Sequence, residues 1–250
     1  TLKPQMFGLE SSTQAVQVSF VTVSVWWLLG LLIINWGVKE KAPEFSVQEQ
    51  KKSVIETYKD LTKTFKKLIQ NRKLFYFLIA FWFYIDGVYT VFTMAVDFGL
   101  TIGLEQRDLM IALLLVQLVG FPTAILFGRM TTRFSTHTLL LTCLIVYTVV
   151  LLFASQLKTG TEFMILASLI GMVQGGIQAL SRSYFAGLIP PEHSAEYFGF
   201  FNVVGRSASF VGPFLVATVT YLTGEARLGL LSIAVLFLFG GAFLIRSRAD

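Results

Sequence analysis

Cysteine is nearly absent from this sequence. Cys143 stands alone among 250 residues, so no internal disulfide can form, and its place in an apolar run suits a small packing residue. Histidine is as scarce: His137 and His193 both read as cytoplasmic loop positions, and with one cysteine they offer no metal-ligand spacing. Neither histidine shares a motif with a serine or an acid, so a nucleophile–base pair is missing as well. An enzymatic reading therefore has no chemistry to stand on, and no cofactor is expected. Charge is thin too, at 14% of residues, against 54% hydrophobic, which is too apolar for a soluble domain of this length. The weak alternation of a membrane β-barrel is also lacking. There is no initiating Met and no pattern of charged segment, apolar core and small-residue cleavage site. The chain opens in what reads as a loop, and the expectation is a piece of a longer polypeptide.

What the sequence does have is apolar runs of about 20 residues, the length a helix needs to cross hydrocarbon. Seven are read: Val16–Trp36, Leu74–Val96, Leu109–Gly128, Thr138–Ala154, one from near Phe163 down to Arg182, Glu196–Leu222 and Leu228–Ile245. The fold class is all-α, a polytopic membrane helix bundle with seven transmembrane helices. The longest polar stretch, 44–73, carries Lys51, Lys52, Lys59, Lys63, Lys66 and Lys67 between apolar residues at helical spacing. It reads equally as a basic amphipathic helix on a membrane surface or as a solvated linker helix. The net charge of +5 is no nucleic-acid signal, because the basic residues sort by side. Those of the 39–73 loop, Arg129, Arg133, Arg182, Arg246 and Arg248 share one face, and Lys3, Arg107, Lys158 and Arg227 oppose them. That bias predicts an external N-terminus and a cytoplasmic C-terminus.

Polar residues at membrane depth are costly and face a bundle interior or a wet cavity. They concentrate in the second, third, fifth and sixth spans, while the first, fourth and seventh are almost free of them and read as peripheral. Asp86 lies about twelve residues into the second span, near the bilayer midplane, beside Tyr84, Tyr89, Thr90 and Thr93. A carboxylate there serves proton relay, ion or amine contact, or pairing with a buried cation, for which Arg206 in the sixth span is the candidate. An unpaired carboxylate in low dielectric resists ionisation, which suits proton coupling. The third span contributes Gln117. Gln174, Gln178, Ser181 and Arg182 are spaced as one polar stripe on the fifth, and Asn202 and Arg206 follow on the sixth. A solute pathway is one reading, and helix–helix adhesion through glutamine and glycine is the other.

Two stretches, FYIDGVYTVFTMAVDFG at 83–99 and GGIQALSRSYFAGLIPPEHSAEYFGFFNVVGRSASFVGP at 175–213, resemble the C-terminal half of major facilitator superfamily transporters. More narrowly, they are similar to bacterial relatives of the autophagy-related vacuolar amino-acid effluxers. The resemblance covers roughly residues 16–248. It implies that the seven spans are helices six to twelve of a twelve-helix fold. Residues 1–37 would then be an external loop and the last helix of the N-terminal half, 38–73 the central cytoplasmic loop, and 74–250 the C-terminal six-helix half. It also implies a secondary active transporter that moves a small solute, amino acids among the options, by alternating access with proton coupling as symport or antiport. Asp86, Tyr84, Tyr89, Thr90, Gln117, Gln174, Gln178, Asn202 and Arg206 would serve substrate or coupling. A cytoplasmic gate would rest on Gly128, Arg129, Arg133, Arg182 and Glu196, although Gly128–Arg133 lacks the acid of the superfamily's Gly-x-x-x-Asp-Arg/Lys signature. The implied partners are the solute, membrane lipid and the N-terminal half of the same polypeptide, and the implied location is the bacterial inner membrane. A seven-helix receptor or a non-transporting membrane module shares the span count. A retinal protein is excluded, because the last span has no lysine.

Overall fold

The computed structural model describes residues 10–37 and 68–248, together with Gln5, Gly8, Thr62, Phe65 and Lys66. Most of the amphipathic stretch expected over 44–73 lies outside the described residues. Two compact units divide the chain, Thr1–Ser53 and Val54–Asp250. The first holds α1 (Ser12–Gly37). Its few polar side chains bond back into the helix: Ser19 Oγ donates to Ala15 O and Thr22 Oγ1 to Val18 O, each at 2.8 Å. Hydroxyls turned onto the preceding turn leave an apolar exterior.

The second unit contains α2 (Arg72–Thr101), α3 (Gln106–Met130), α4 (Thr136–Ala154), α5 (Gly160–Leu188), a 3₁₀ turn at Pro191–His193, α6 (Ser194–Ser207), α7 (Val211–Thr223), α8 (Ala226–Ser232) and α9 (Ala234–Arg246). Among the described residues, seven helical stretches are long and apolar enough to cross a membrane, with α6–α7 forming one and α8–α9 another. Local signals set the ends. Asn71 Oδ1 accepts the Leu74 amide at the start of α2, and Ser135 Oγ accepts that of Thr138 at the start of α4. Thr159 and Glu162 form a reciprocal capping box that opens α5. Three expected boundaries move. The fifth span begins at Gly160, and it runs six residues past Arg182 to Leu188, where Pro190-Pro191 follows. The second continues through Asp97 to Thr101, and the chain then turns at Gly103, whose φ of 87° favours glycine. His137 is corrected from loop to helix: it sits in the first turn of α4 and is buried.

α2 is the central element, packed against α5, α6, α7, α8 and α9. Its aromatic side chains build the core: the Phe81 and Phe201 rings stack 4.1 Å apart, and Phe185 stacks on Phe201 at 4.8 Å. Small residues permit the closest helix approaches. Gly87 and Gly240 leave room for Phe237 and Tyr84 between α2 and α9. Gly171, Gly175 and Gly176 of α5 meet Val116, Ala124 and Phe127 of α3 in the same way. The adhesion reading of those glycines is therefore correct, and it coexists with a polar face on the same helix. Cys143 packs in the core. The exposed large residues of α4 and α9, among them Ile145, Leu152, Leu238 and Phe239, are apolar, as lipid-facing sides require.

Candidate solute groove

Two adjoining depressions run along one side of the second unit. The wider, about 580 Å³, lies between α2, α3 and α5 and is lined by Tyr89, Phe92, Gln117, Phe121, Gln174 and Gln178, with Val116, Gly120 and Gly175 in its floor. The narrower, about 170 Å³, continues between α2, α5 and α6 past Phe81, Ile85, Phe201 and Gly205 to Arg182, Asn202 and Arg206. Tyr89 and Gln178 line both, so the two form one groove. Its polarity changes along its length: amides and aromatic rings fill the wide part, and two guanidinium groups stand in the narrow part. Gln117, Gln178, Asn202, Arg182 and Arg206 are exposed there, and neither arginine has a hydrogen-bond or ion-pair partner among the described residues.

Six of the nine expected substrate or coupling residues share this groove: Tyr89, Gln117, Gln174, Gln178, Asn202 and Arg206. Asp86, Tyr84 and Thr90 do not line it. Tyr84 turns inward and meets Ser181 Oγ at 2.7 Å, and Ser181 in turn donates to Ile177 O. Ser181 is therefore buried away from the stripe that its spacing suggested. Behind the wide part, the Tyr147 hydroxyl donates to Gln174 Oε1 and fixes that side chain's orientation. Tyr147 was not expected at the site, and no spacing within α4 could have revealed a bond to α5.

Asp86 has zero exposure and makes no ion pair with Arg206. Its carboxylate points at a break in the sixth span, where α6 stops at Ser207 and α7 starts at Val211. Oδ2 accepts the Gly212 amide at 2.8 Å, and the Thr90 hydroxyl donates to the Asp86 carbonyl at 2.8 Å. A side chain at 212 would overlap Thr90 Oγ1, so the close approach requires glycine. The carboxylate thus serves α7 as a cap supplied from another helix. Of the expected gate residues, Gly128 and Arg129 close α3, Arg133 lies in the following turn and Glu196 opens α6, and Arg182 is the one that lines the groove. His137 Nε2 bonds Leu244 O at 2.9 Å, and its Nδ1 has no hydrogen-bond partner among the described residues.

A family model described as "Vacuole effluxer Atg22 like" matches residues 3–250. The chain belongs to that family. The Atg22-like chain is 40% identical over 230 residues to an uncharacterized MFS-type transporter, YxiO, of Bacillus subtilis, covering 92% of this chain and 53% of the relative. It is 30% identical over 251 residues to autophagy-related protein 22 of Cryptococcus neoformans (92% and 43%). Autophagy-related protein 22-2 of Aspergillus niger is 26% identical over 267 residues (94% and 44%). The chain spans about half the length of these curated relatives. Membership in this transporter family, together with the seven apolar spans, makes the Atg22-like chain an integral membrane protein.

Proposed function

We propose that the protein is a secondary active transporter of the major facilitator type and that this chain supplies its C-terminal half with the helix preceding it. On this reading α1 ends the N-terminal half, residues 38–73 form the central cytoplasmic loop, and 74–250 form the C-terminal six-helix half. The N-terminus of the chain is external and its C-terminus cytoplasmic, in the bacterial inner membrane. A small solute moves by alternating access with proton coupling; the matched family is described as effluxers, and amino acids, the class that the resemblance to the autophagy-related effluxers implies, are the first to test. No enzymatic step is assigned.

The observation that carries this reading is the groove. Tyr89, Gln117, Gln174, Gln178, Asn202 and Arg206 stand on one side of helices whose other exposed sides are apolar. Hydrocarbon would leave those groups unsatisfied, so the side that bears them faces water, a solute or the other half of the transporter. Amide groups supply paired donors and acceptors, and the arginines supply charge for an anionic group. The test is solute uptake by the full-length protein in proteoliposomes with an imposed proton gradient. Gln178→Ala with Arg206→Ala should lower transport at least about tenfold, the effect of losing one charged and one neutral hydrogen-bonding group. Leu238→Ala, on the apolar exterior of α9, should leave it unchanged. Equal rates for all three proteins would refute the assignment of the groove.

A further inference from the structure

We propose that Asp86 is a positioning residue that never touches the solute: its ionised carboxylate latches the start of α7 to α2, and uptake of a proton releases residues 208–210 as a hinge. This rests on the transport reading above.

The break between α6 and α7 leaves few ways to satisfy the new helix start. Phe210, at the cap position, supplies no side-chain acceptor, and Pro213 has no amide hydrogen. The Phe214 amide reaches Phe210 O, so Val211 and Gly212 are the donors left over. Ser207 and Ser209, the nearby hydroxyls, are turned towards α6 and donate to Val204 O and Arg206 O. Asp86, 126 residues away in sequence, provides the acceptor at 2.8 Å. It does so midway along α2 with no exposure, where water cannot take its place. The Thr90 hydroxyl donates chiefly to the Asp86 carbonyl, at 2.8 Å, and lies 3.5 Å from Oδ1, which leaves Oδ2 to the Gly212 amide; Gly212 admits the approach because it has no side chain.

A proton added to either carboxylate oxygen makes the group neutral and abolishes its attraction to the positive end of α7. The charge-assisted bond becomes a weaker neutral one. α6 carries Asn202, Gly205 and Arg206 of the groove, so freedom at 208–210, once the start of α7 is no longer held to α2, changes the groove's narrow part. Charge on a buried carboxylate is thereby converted into groove shape. The titratable or charged groups on neighbouring faces are Tyr84 and Tyr89 of α2, Arg182 of α5 and Arg206 of α6. The first turn of α7 has none, nor has α9 where Phe237 covers Gly87. Arg227 of α8 is held by carbonyls after α4, and Arg246 lies in the last turn of α9.

The test combines hydrogen exchange and transport in the full-length protein, for wild type, Asp86→Asn, Asp86→Glu and Gly212→Ala. After correction for intrinsic rates, amides within 211–214 should exchange about tenfold faster in Asp86→Asn than in wild type at neutral pH. The pH dependence of the transport rate should flatten in the same variant and return in Asp86→Glu. Should Asp86→Asn fail to fold, Gly212→Ala keeps the charge, crowds the amide off the carboxylate and should show the same faster exchange. Unchanged exchange in both variants overturns the latch. Faster exchange with an unaltered pH profile overturns the coupling and leaves a structural cap. A wild-type protein that moves no solute at any pH refutes the transport reading beneath it, which the exchange measurement identifies separately.

Discussion

Replacing Gly171 by alanine should be among the costlier single-methyl additions in this protein. A Cβ there would lie 2.9 Å from Val116 O, 3.0 Å from Val116 Cα and 3.2 Å from Val119 Cβ. The first two are backbone atoms of α3, which cannot rotate aside as a side chain can, so α3 must move away by about half an ångström to reach ordinary contact. That displacement also strains the Thr123 hydroxyl bond to Gly171 O, 3.3 Å long, and loosens Gly175 against Ala124. Overpacking of this kind costs roughly 1–3 kcal/mol. The gain in helix propensity on replacing a helical glycine returns about 0.5–1 kcal/mol. The net is destabilisation of roughly 1–2 kcal/mol, or a melting temperature lower by about 2–8 °C at roughly 2–4 °C per kcal/mol. The assay is a thermal melt of the detergent-solubilised full-length protein, with Gly187→Ala as control. Gly187 is in the same helix and has open space where its Cβ would go, so that variant should melt at or slightly above wild type. Equal melting temperatures for the two variants would refute the claim that close backbone approach holds α3 to α5.

Tyr147→Phe removes the donor that fixes Gln174, so half-saturation for the solute should rise about three- to tenfold while the maximal rate changes little. An equal fall in both kinetic parameters would contradict a purely orienting role. Arg227→Ala leaves Ser155 O and Leu157 O without their guanidinium partner and should lower stability by about 1–2 kcal/mol without altering transport. A transport defect at wild-type melting temperature would show that Arg227 does more than tie α8 to the end of α4.

Much of the fold was legible because it depends on local quantities. Span number follows from run length and apolarity, and the caps at Asn71, Ser135 and Thr159 are short-range signals. The polar positions of the groove were legible too, since amides and arginines in apolar helices mark the side that cannot face lipid. Two errors had local causes that were visible. The capping box at Thr159 and Glu162 placed the start of α5 before Phe163, and Ser135 placed His137 inside a helix. The break at 208–210 also had a signal, in Ser207 and Ser209 and in the Gly212-Pro213 pair that follows it.

By itself, then, the sequence determined that this is a seven-span helical membrane chain and which residues are too polar for its lipid face. Only the tertiary structure decided where each of them turns. Ser181 and Gln178 lie about 60° apart around one helix, yet one is buried on Tyr84 and the other lines the groove. Which way each points is set by the helix that packs there, and periodicity within α5 carries no information about its neighbours. Asp86 shows the same limit more sharply. Composition marked it as costly and purposeful, but its partner is an amide 126 residues away, freed by a helix break in another span. A backbone donor has no side chain to betray it, so that partnership existed nowhere in the sequence pattern and only in the packed fold.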